Sequence, residues 1–93
     1  KRSGYRIELG EIEAGANSVD GVKGCACIFN KEDNCLALVY EGKSKDSDKV
    51  MDAVRNKVPS YMYPDKIIRV KELPKNANGK IDRNYLTKNY KEL

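Results

Sequence analysis

Apolar residues in the middle of the chain form two nearly continuous runs, Val22 to Phe29 and Cys35 to Tyr40. The polar segment Asn30 to Asn34 separates them. Two short apolar runs joined by a polar turn predict an antiparallel β-hairpin. Because neighbouring residues in each run are apolar, we expect both strands to be covered on both faces and to form the centre of a sheet.

Three further segments show the spacing of helices that bury one face. We predict a helix over Leu9 to Asn17, a second that ends at about Val58, and a third from Asp82 to about Tyr90. Ser47 is the predicted N-cap of the second helix, with Ser44 as the alternative. The apolar stripes of the first two helices consist of Leu9, Ile12, Ala16, Val50, Val54 and Val58.

Two more strands complete the predicted order of elements. Lys66 to Leu73 is predicted as a third main strand, and the alternating pattern of Lys1 to Glu8 predicts a short N-terminal edge strand. Between the second helix and the third main strand, Tyr61 to Tyr63 form a packed connector between two prolines. The pattern predicts an α+β fold with a small three-stranded sheet, helices packed on it, and the short edge strand.

Composition limits the classes of protein that the chain can represent. Its 93 residues are enough for one domain, and 40% hydrophobic with 34% charged residues is typical of a globular chain. No apolar run approaches the roughly 20 residues of a membrane helix, and the first residues show no signal-peptide pattern. The first residue is not Met, so we expect an excised fragment.

The formal net charge of +4 permits contact with nucleic acid, phosphate groups or an acidic protein. Aromatic stacking motifs for nucleic acid are missing, so no nucleic acid is expected. The three cysteines, Cys25, Cys27 and Cys35, occur without any histidine, which is a poor set of zinc ligands. We expect no metal site, and we interpret the three as reduced, small apolar residues of a cytoplasmic protein.

The candidate chemistry lies in Leu73 to Leu86, which reads LPKNANGKIDRNYL. Asn78 and Gly79 tolerate positive φ and favour a tight turn, which presents Lys80 at its tip. Asp82 can cap the helix that follows. An ammonium group so placed can bind a phosphate or a carboxylate. An ordinary surface lysine is the alternative interpretation of this turn taken alone.

Three stretches of the chain resemble motifs of one family in their order and spacing. LPKNANGKIDR resembles the last motif of the adenylate-forming enzymes, which include the amino-acid-activating domains of nonribosomal peptide synthetases and the acyl-CoA synthetases. GYRIELGEIE (residues 4–13) resembles the motif after their interdomain hinge, and VPSYMYP (residues 58–64) resembles a third motif. The resemblance covers nearly the whole chain. It implies that residues 1–93 are the C-terminal lid subdomain, without the N-terminal domain.

The resemblance implies two functional faces. On one, Lys80 contacts the substrate carboxylate and the α-phosphate of ATP, supported by Asn78, Gly79 and Asp82. On the other, Ser3, Gly4, Tyr5 and Arg6 border the path of pantetheine or contact its phosphate. Arg55 matches a CoA-contacting arginine more weakly, and a solvated helix residue is the favoured alternative there.

The expected activity is ATP-dependent formation of an aminoacyl adenylate, followed by thioester transfer to the phosphopantetheine of a carrier protein. Mg²⁺ and most of the ATP site would belong to the missing N-terminal core domain, so the fragment alone should be inactive. CoA is the alternative acceptor, and an acyl-CoA, aryl-acid or D-alanine ligase is the alternative enzyme. A basic module that binds nucleic acid or protein is the alternative of a different class. The sequence does not identify the amino or carboxylic acid substrate.

Overall fold

The computed structural model describes Gly4 and residues 6–93, which form three α-helices, three strands and two short 3₁₀ turns. In chain order the elements are α1 (Leu9–Asn17), β1 (Val22–Asn30), β2 (Cys35–Gly42), α2 (Ser47–Arg55), a 3₁₀ turn (Ser60–Met62), β3 (Lys66–Val70), α3 (Arg83–Asn89) and a second 3₁₀ turn (Tyr90–Glu92). This order and the mixture of helix and strand confirm the predicted α+β fold with a three-stranded sheet.

The sheet has the strand order β1-β2-β3. β1 and β2 pair antiparallel, with Ala26 opposite Val39, which confirms the predicted hairpin. β2 and β3 pair parallel, with Val39 opposite Ile68, because α2 carries the chain back to the end of the sheet from which β2 starts. The prediction that both hairpin strands occupy the centre was wrong for β1, which lies at an edge.

Both faces of β2 are buried, which explains its continuous apolar run. Leu36, Leu38 and Tyr40 point to the face that α1 and α2 cover. Ala37 and Val39 point to the opposite face and pack in the second core. In that second core, Leu73 and Leu86, from the chain after β3 and from α3, lie against the sheet.

Side chains close the outer edge of β1. The Glu13 carboxylate of α1 accepts the Cys27 backbone N–H at 2.8 Å. The Arg83 guanidinium of α3 donates to the Cys27 carbonyl at 3.2 Å and to Glu13 Oε2 at 2.6 Å. Cys27 thus has partners for both backbone groups, although no strand of the described residues lies on that side, and an edge so covered does not offer these groups to another chain.

The boundaries of α2 differ from the prediction. Asp46, rather than Ser47 or Ser44, is the N-cap, and its carboxylate accepts the backbone N–H groups of Asp48 and Lys49. The helix ends at Arg55 instead of near Val58. A carboxylate at the N-cap also interacts favourably with the helix dipole, which a hydroxyl does not.

The remaining corrections concern the two other predicted strands. β3 ends at Val70, three residues earlier than predicted, because Leu73 turns away to hydrogen bond with the Glu41 side chain. Residues 6–8 are not in a strand, and the rest of the predicted N-terminal edge strand lies outside the described residues. In the predicted connector, Met62 is buried against α1 and α2.

Candidate functional site

The candidate site is a short hairpin between β3 and α3. The Asn76 backbone N–H donates to the Lys80 carbonyl at 2.8 Å, and the Gly79 N–H donates to the Asn76 carbonyl at 3.0 Å. Lys75 and Ile81 form an antiparallel bridge at the base of the hairpin. These contacts are the pattern of a type I turn followed by a left-handed residue.

Asn76 organises this turn, and the sequence analysis did not identify it. Its side-chain oxygen accepts the backbone N–H of Asn78 at 2.9 Å and of Lys80 at 3.2 Å. An Asn at the first position of a turn commonly makes such contacts, so its place three residues before Gly79 was the available signal. The side chain fixes the backbone on both sides of the tip.

Gly79 has a φ of 81°, in the left-handed region that favours glycine. The tight turn predicted from Asn78 and Gly79 is present, and of these two residues only Gly79 has a positive φ. Asn78 is a central residue of the turn that begins at Asn76, and a type I turn requires a negative φ at that position.

Lys80 follows this turn and is exposed. Its ammonium group forms no ion pair with any carboxylate in the part of the chain that the structure describes. The next residues are anchored, since the Asp82 N–H donates to the Pro74 carbonyl at 2.8 Å and the Asp82 carboxylate accepts the Tyr85 N–H at 3.0 Å. Asp82 therefore caps α3, as the sequence predicted, and Lys80 extends from a backbone fixed on both sides.

A buried acid lies beneath the hairpin. Glu41, near the end of β2, is only 7% exposed, and its Oε1 accepts the Leu73 backbone N–H at 3.2 Å. The ammonium groups of Lys75 and Lys23 lie 3.8 Å from its two carboxylate oxygens. The sequence analysis missed this residue, although a charged residue ending an otherwise apolar strand was visible.

The residues proposed for the pantetheine side are only partly described. Gly4 is exposed, and Arg6 pairs with Glu8 at 3.0 Å. Ser3 and Tyr5, which were predicted to belong to the same face, lie outside the described residues.

Arg55 lies away from the hairpin. It belongs to α2, on the opposite face of the sheet from the core that holds Leu73. Its guanidinium contacts Asp52 at 3.9 Å and the Tyr63 ring at 5.6 Å. The structure therefore brings Asn78, Gly79, Lys80 and Asp82 together and places Arg55 elsewhere.

A cleft lies at the turn between β1 and β2, and none of the predicted site residues lines it. There the Tyr90 hydroxyl donates to Asp33 at 2.6 Å, and Lys91 pairs with the same carboxylate. The hydrogen bond from Tyr90, followed by that from Lys91, lowers the pKa of Asp33. Asp33, Tyr90 and Lys91 thus satisfy one another within this cleft.

No group of three or more His, Cys, Asp or Glu side chains among the described residues could hold a metal ion. None of the described helices combines the length and the apolar character needed to cross a membrane.

Residues 11–80 match the family model described as the AMP-binding enzyme C-terminal domain. The chain belongs to this family. Its hairpin lysine, Lys80, is the last residue of the matched segment. The chain is thus a C-terminal subdomain of the adenylate-forming type, as the three sequence motifs indicated.

Relatives of the subdomain include large synthases. It is 39% identical over 89 residues to chondramide synthase cmdD of Chondromyces crocatus, covering 89% of this chain and 2% of that protein. It is 39% identical over 90 residues to zwittermicin A synthase ZmaJ of Bacillus cereus, covering 92% of this chain and 17% of that protein. The subdomain therefore spans a small part of each relative.

A solved structure has the same fold. The anthranilate CoA ligase AuaEII, in complex with anthranoyl-AMP, is 26% identical and superimposes with a TM-score of 0.80 over 95% of this chain and 19% of that chain. The chain is thus similar both to synthases and to a CoA ligase, and the fold alone does not identify its acceptor.

Proposed function

We propose that residues 1–93 are the mobile C-terminal lid of a larger ATP-dependent ligase that activates an amino acid as its aminoacyl adenylate. The same lid then serves thioester transfer to the phosphopantetheine of a carrier protein. The observation that carries the proposal is Lys80, an exposed ammonium without an ion pair in the described chain, held by a hairpin that is hydrogen-bonded on both sides of it.

Lys80 suits a reaction in which two anions must meet. It would contact the substrate carboxylate and the α-phosphate of ATP, and so reduce repulsion as charge develops on the phosphate oxygens. Gly79 keeps the backbone beside it free of a side chain. The chain has no Gly-rich phosphate loop, so the N-terminal core would supply the rest of the ATP site and hold Mg²⁺. The subdomain alone would be inactive.

Residues at the start of the chain would serve the second half-reaction. Gly4 is exposed and no described atom lies within 4 Å of the position that a Cβ would take, which leaves room for a thin ligand beside it. Arg6, also exposed, would pair with a phosphate in exchange for Glu8, and Ser3 and Tyr5 flank Gly4 in sequence. Arg55 is a weaker candidate because Asp52 and Tyr63 already occupy its guanidinium.

We favour the synthase-type lid over a CoA ligase lid, because chondramide synthase and zwittermicin A synthase are 39% identical to this chain and the CoA ligase AuaEII is 26% identical. The partners would be the adenylation core, a carrier protein and an amino acid in the cytoplasm. A CoA ligase lid is the second candidate function, favoured by the likeness to AuaEII. Thioester formation with a carrier-protein phosphopantetheine supports the first candidate, and thioester formation with free CoA supports the second.

The test uses the ligase that carries this subdomain together with its core domain. Lys80→Ala should slow ATP–pyrophosphate exchange about 100- to 1000-fold, which is the usual cost of removing one preorganised donor from a transition state. Lys80→Arg should also be slow, because it keeps the charge but changes its shape and reach. Thioester formation from a supplied adenylate should stay near normal. Lys88→Ala, another exposed lysine on α3, is the matched control.

Gly4→Leu is the reciprocal variant. It should spare pyrophosphate exchange and slow thioester formation, because a bulky side chain would obstruct the acceptor. Near-normal exchange by both Lys80 variants, with a lowered melting temperature in Lys80→Ala, would show that Lys80 only anchors the loop. Equal loss of both half-reactions in Gly4→Leu would contradict the assignment of two faces.

A further inference from the structure

The hairpin that carries Lys80 is connected to the central strand by one buried carboxylate. We propose that Glu41 is a positioning residue, which holds this hairpin in a fixed place relative to the sheet. Its significance for catalysis rests on the proposed function of Lys80, but the contact itself can be tested on this chain alone.

The position of Glu41 in β2 is unusual for a charged side chain. It shares a sheet face with Ala37 and Val39, and both of those residues are completely buried in the core beneath α3. Removing a carboxylate from water is costly unless hydrogen bonds and charges compensate it. An apolar residue would fit the pattern of this face, so the acid needs a specific reason.

The contacts of Glu41 supply that reason. Its Oε1 accepts the backbone N–H of Leu73, whose own side chain is 2% exposed and anchors the start of the hairpin. The same oxygen lies 3.8 Å from the ammonium of Lys75, two residues further along. The other oxygen lies 3.8 Å from Lys23 of β1. Glu41 thus contacts strand β1 through Lys23 and the segment after β3 through Leu73 and Lys75. Two of its three partners therefore belong to the segment that begins the hairpin.

A short series of backbone contacts connects Leu73 to the tip of the hairpin. Pro74 follows Leu73, and its carbonyl accepts the N–H of Asp82, which caps α3. Lys75 then bridges to Ile81, the neighbour of Lys80. Both arms of the hairpin therefore begin from a backbone that Glu41 fixes.

The charge of Glu41 has a second effect. Lys75 and Lys80 lie on the same hairpin, but only Lys75 has a carboxylate within 4 Å among the described residues. Glu41 therefore compensates the neighbouring ammonium and leaves Lys80 as the hairpin cation available to an anion. Replacement by an apolar residue would leave a buried N–H unpaired as well as an uncompensated lysine.

Amide hydrogen exchange on the purified 93-residue chain tests the proposal. Glu41→Ala should accelerate exchange of the Leu73, Asn76 and Asp82 amides at least about tenfold relative to the amides of β2, since a hydrogen bond to a charged group contributes about 1.5–3 kcal/mol. Glu41→Gln keeps an oxygen that can accept from Leu73, and should restore most of this protection. Glu32 is exposed in the turn at the other end of β2, so Glu32→Ala is the control. It should change the exchange of neither the hairpin amides nor the β2 amides.

The β2 amides distinguish positioning from general stability. If Glu41 only stabilises the fold, hairpin and β2 amides lose protection by the same factor, and the proposal is overturned. Unchanged hairpin exchange in Glu41→Ala, or no rescue by Glu41→Gln, also overturns it. The corresponding ligase variants give a separate answer. Faster hairpin exchange with normal adenylation leaves the positioning role intact and counts against Lys80 as the catalytic cation.

Discussion

Replacing Glu13 by Ala tests the side-chain closure of the β1 edge. The Glu13 side chain is 17% exposed and accepts two hydrogen bonds, from the Cys27 backbone at 2.8 Å and from Arg83 at 2.6 Å. Removing it leaves the N–H of Cys27 without this acceptor, in a residue that is fully buried. Its loss also removes the main cause of the raised pKa of Arg83, which is the hydrogen bond to Glu13.

The size of the effect follows from these two contacts. Leaving a buried donor unpaired costs about 1–3 kcal/mol. The ion pair adds about 0.5–1 kcal/mol, because Arg83 is half exposed and water screens its charge. We expect Glu13→Ala to lower the free energy of unfolding by about 2–3 kcal/mol. For a domain of this size that corresponds to a fall in melting temperature of about 10–20 °C.

Urea denaturation followed by circular dichroism measures this loss, with Glu11→Ala as the matched control. Glu11 lies on the same helix, is exposed and pairs with Lys57 only at 4.0 Å, so its removal should cost less than about 0.5 kcal/mol. Glu13→Gln should fall between the two, because an amide oxygen can still accept the Cys27 N–H. Equal losses for Glu13→Ala and Glu11→Ala would refute the role assigned to the edge contact.

Two further variants probe other parts of the fold. Gly42→Ala should cost about 3 kcal/mol or more in urea denaturation, because Gly42 has a φ of 146° and a Cβ there would collide with the Gly21 carbonyl; Gly10→Ala, in open space on α1, should not destabilise. Burial raises the pKa of Cys25 and Cys27 to about 12, from about 9 in the unfolded chain. The folded thiols then keep their protons while unfolded thiols lose them, so stability should fall as the pH rises from about 9 towards 12. Urea midpoints at pH 8 and 10.5 would show this fall, and a fall of the same size in a variant with both cysteines replaced by Ala would contradict the assignment, since the raised pKa of Tyr40 and Tyr90 accounts only for a remainder.

Local sequence patterns were sufficient for most of the fold. The stripe of Leu9, Ile12 and Ala16 gave the bounds of α1 as the structure has them. The β1–β2 hairpin was predicted from two apolar runs and the polar turn between them, which are features of residues close together in the sequence. The edge position of β1 could not be obtained in this way, because strand order depends on where the distant strand β3 pairs.

In the candidate site too, local features could be predicted from the sequence and long-range contacts could not. Lys80, Gly79 and the Asp82 cap are features of one short segment, and a turn motif reveals them. Glu41 contacts Leu73 across 32 positions of sequence, so only the folded chain shows that the acid lies beneath the hairpin. The prediction of the α2 N-cap was wrong for a different reason. Two serines and Asp46 lie within four residues, and only the geometry of the folded chain shows which of them is the N-cap.

The closure of β1 also has a temporal aspect during protein synthesis. Cys27 and Arg83 are 56 positions apart, which corresponds to about 3–11 s at ordinary translation rates. Glu13 is translated before Cys27, so its carboxylate can cover the strand's N–H as soon as the hairpin forms. The Cys27 carbonyl must wait for Arg83. The order of Glu13 and Arg83 in the sequence therefore closes the donor side of the edge first and the acceptor side last during synthesis.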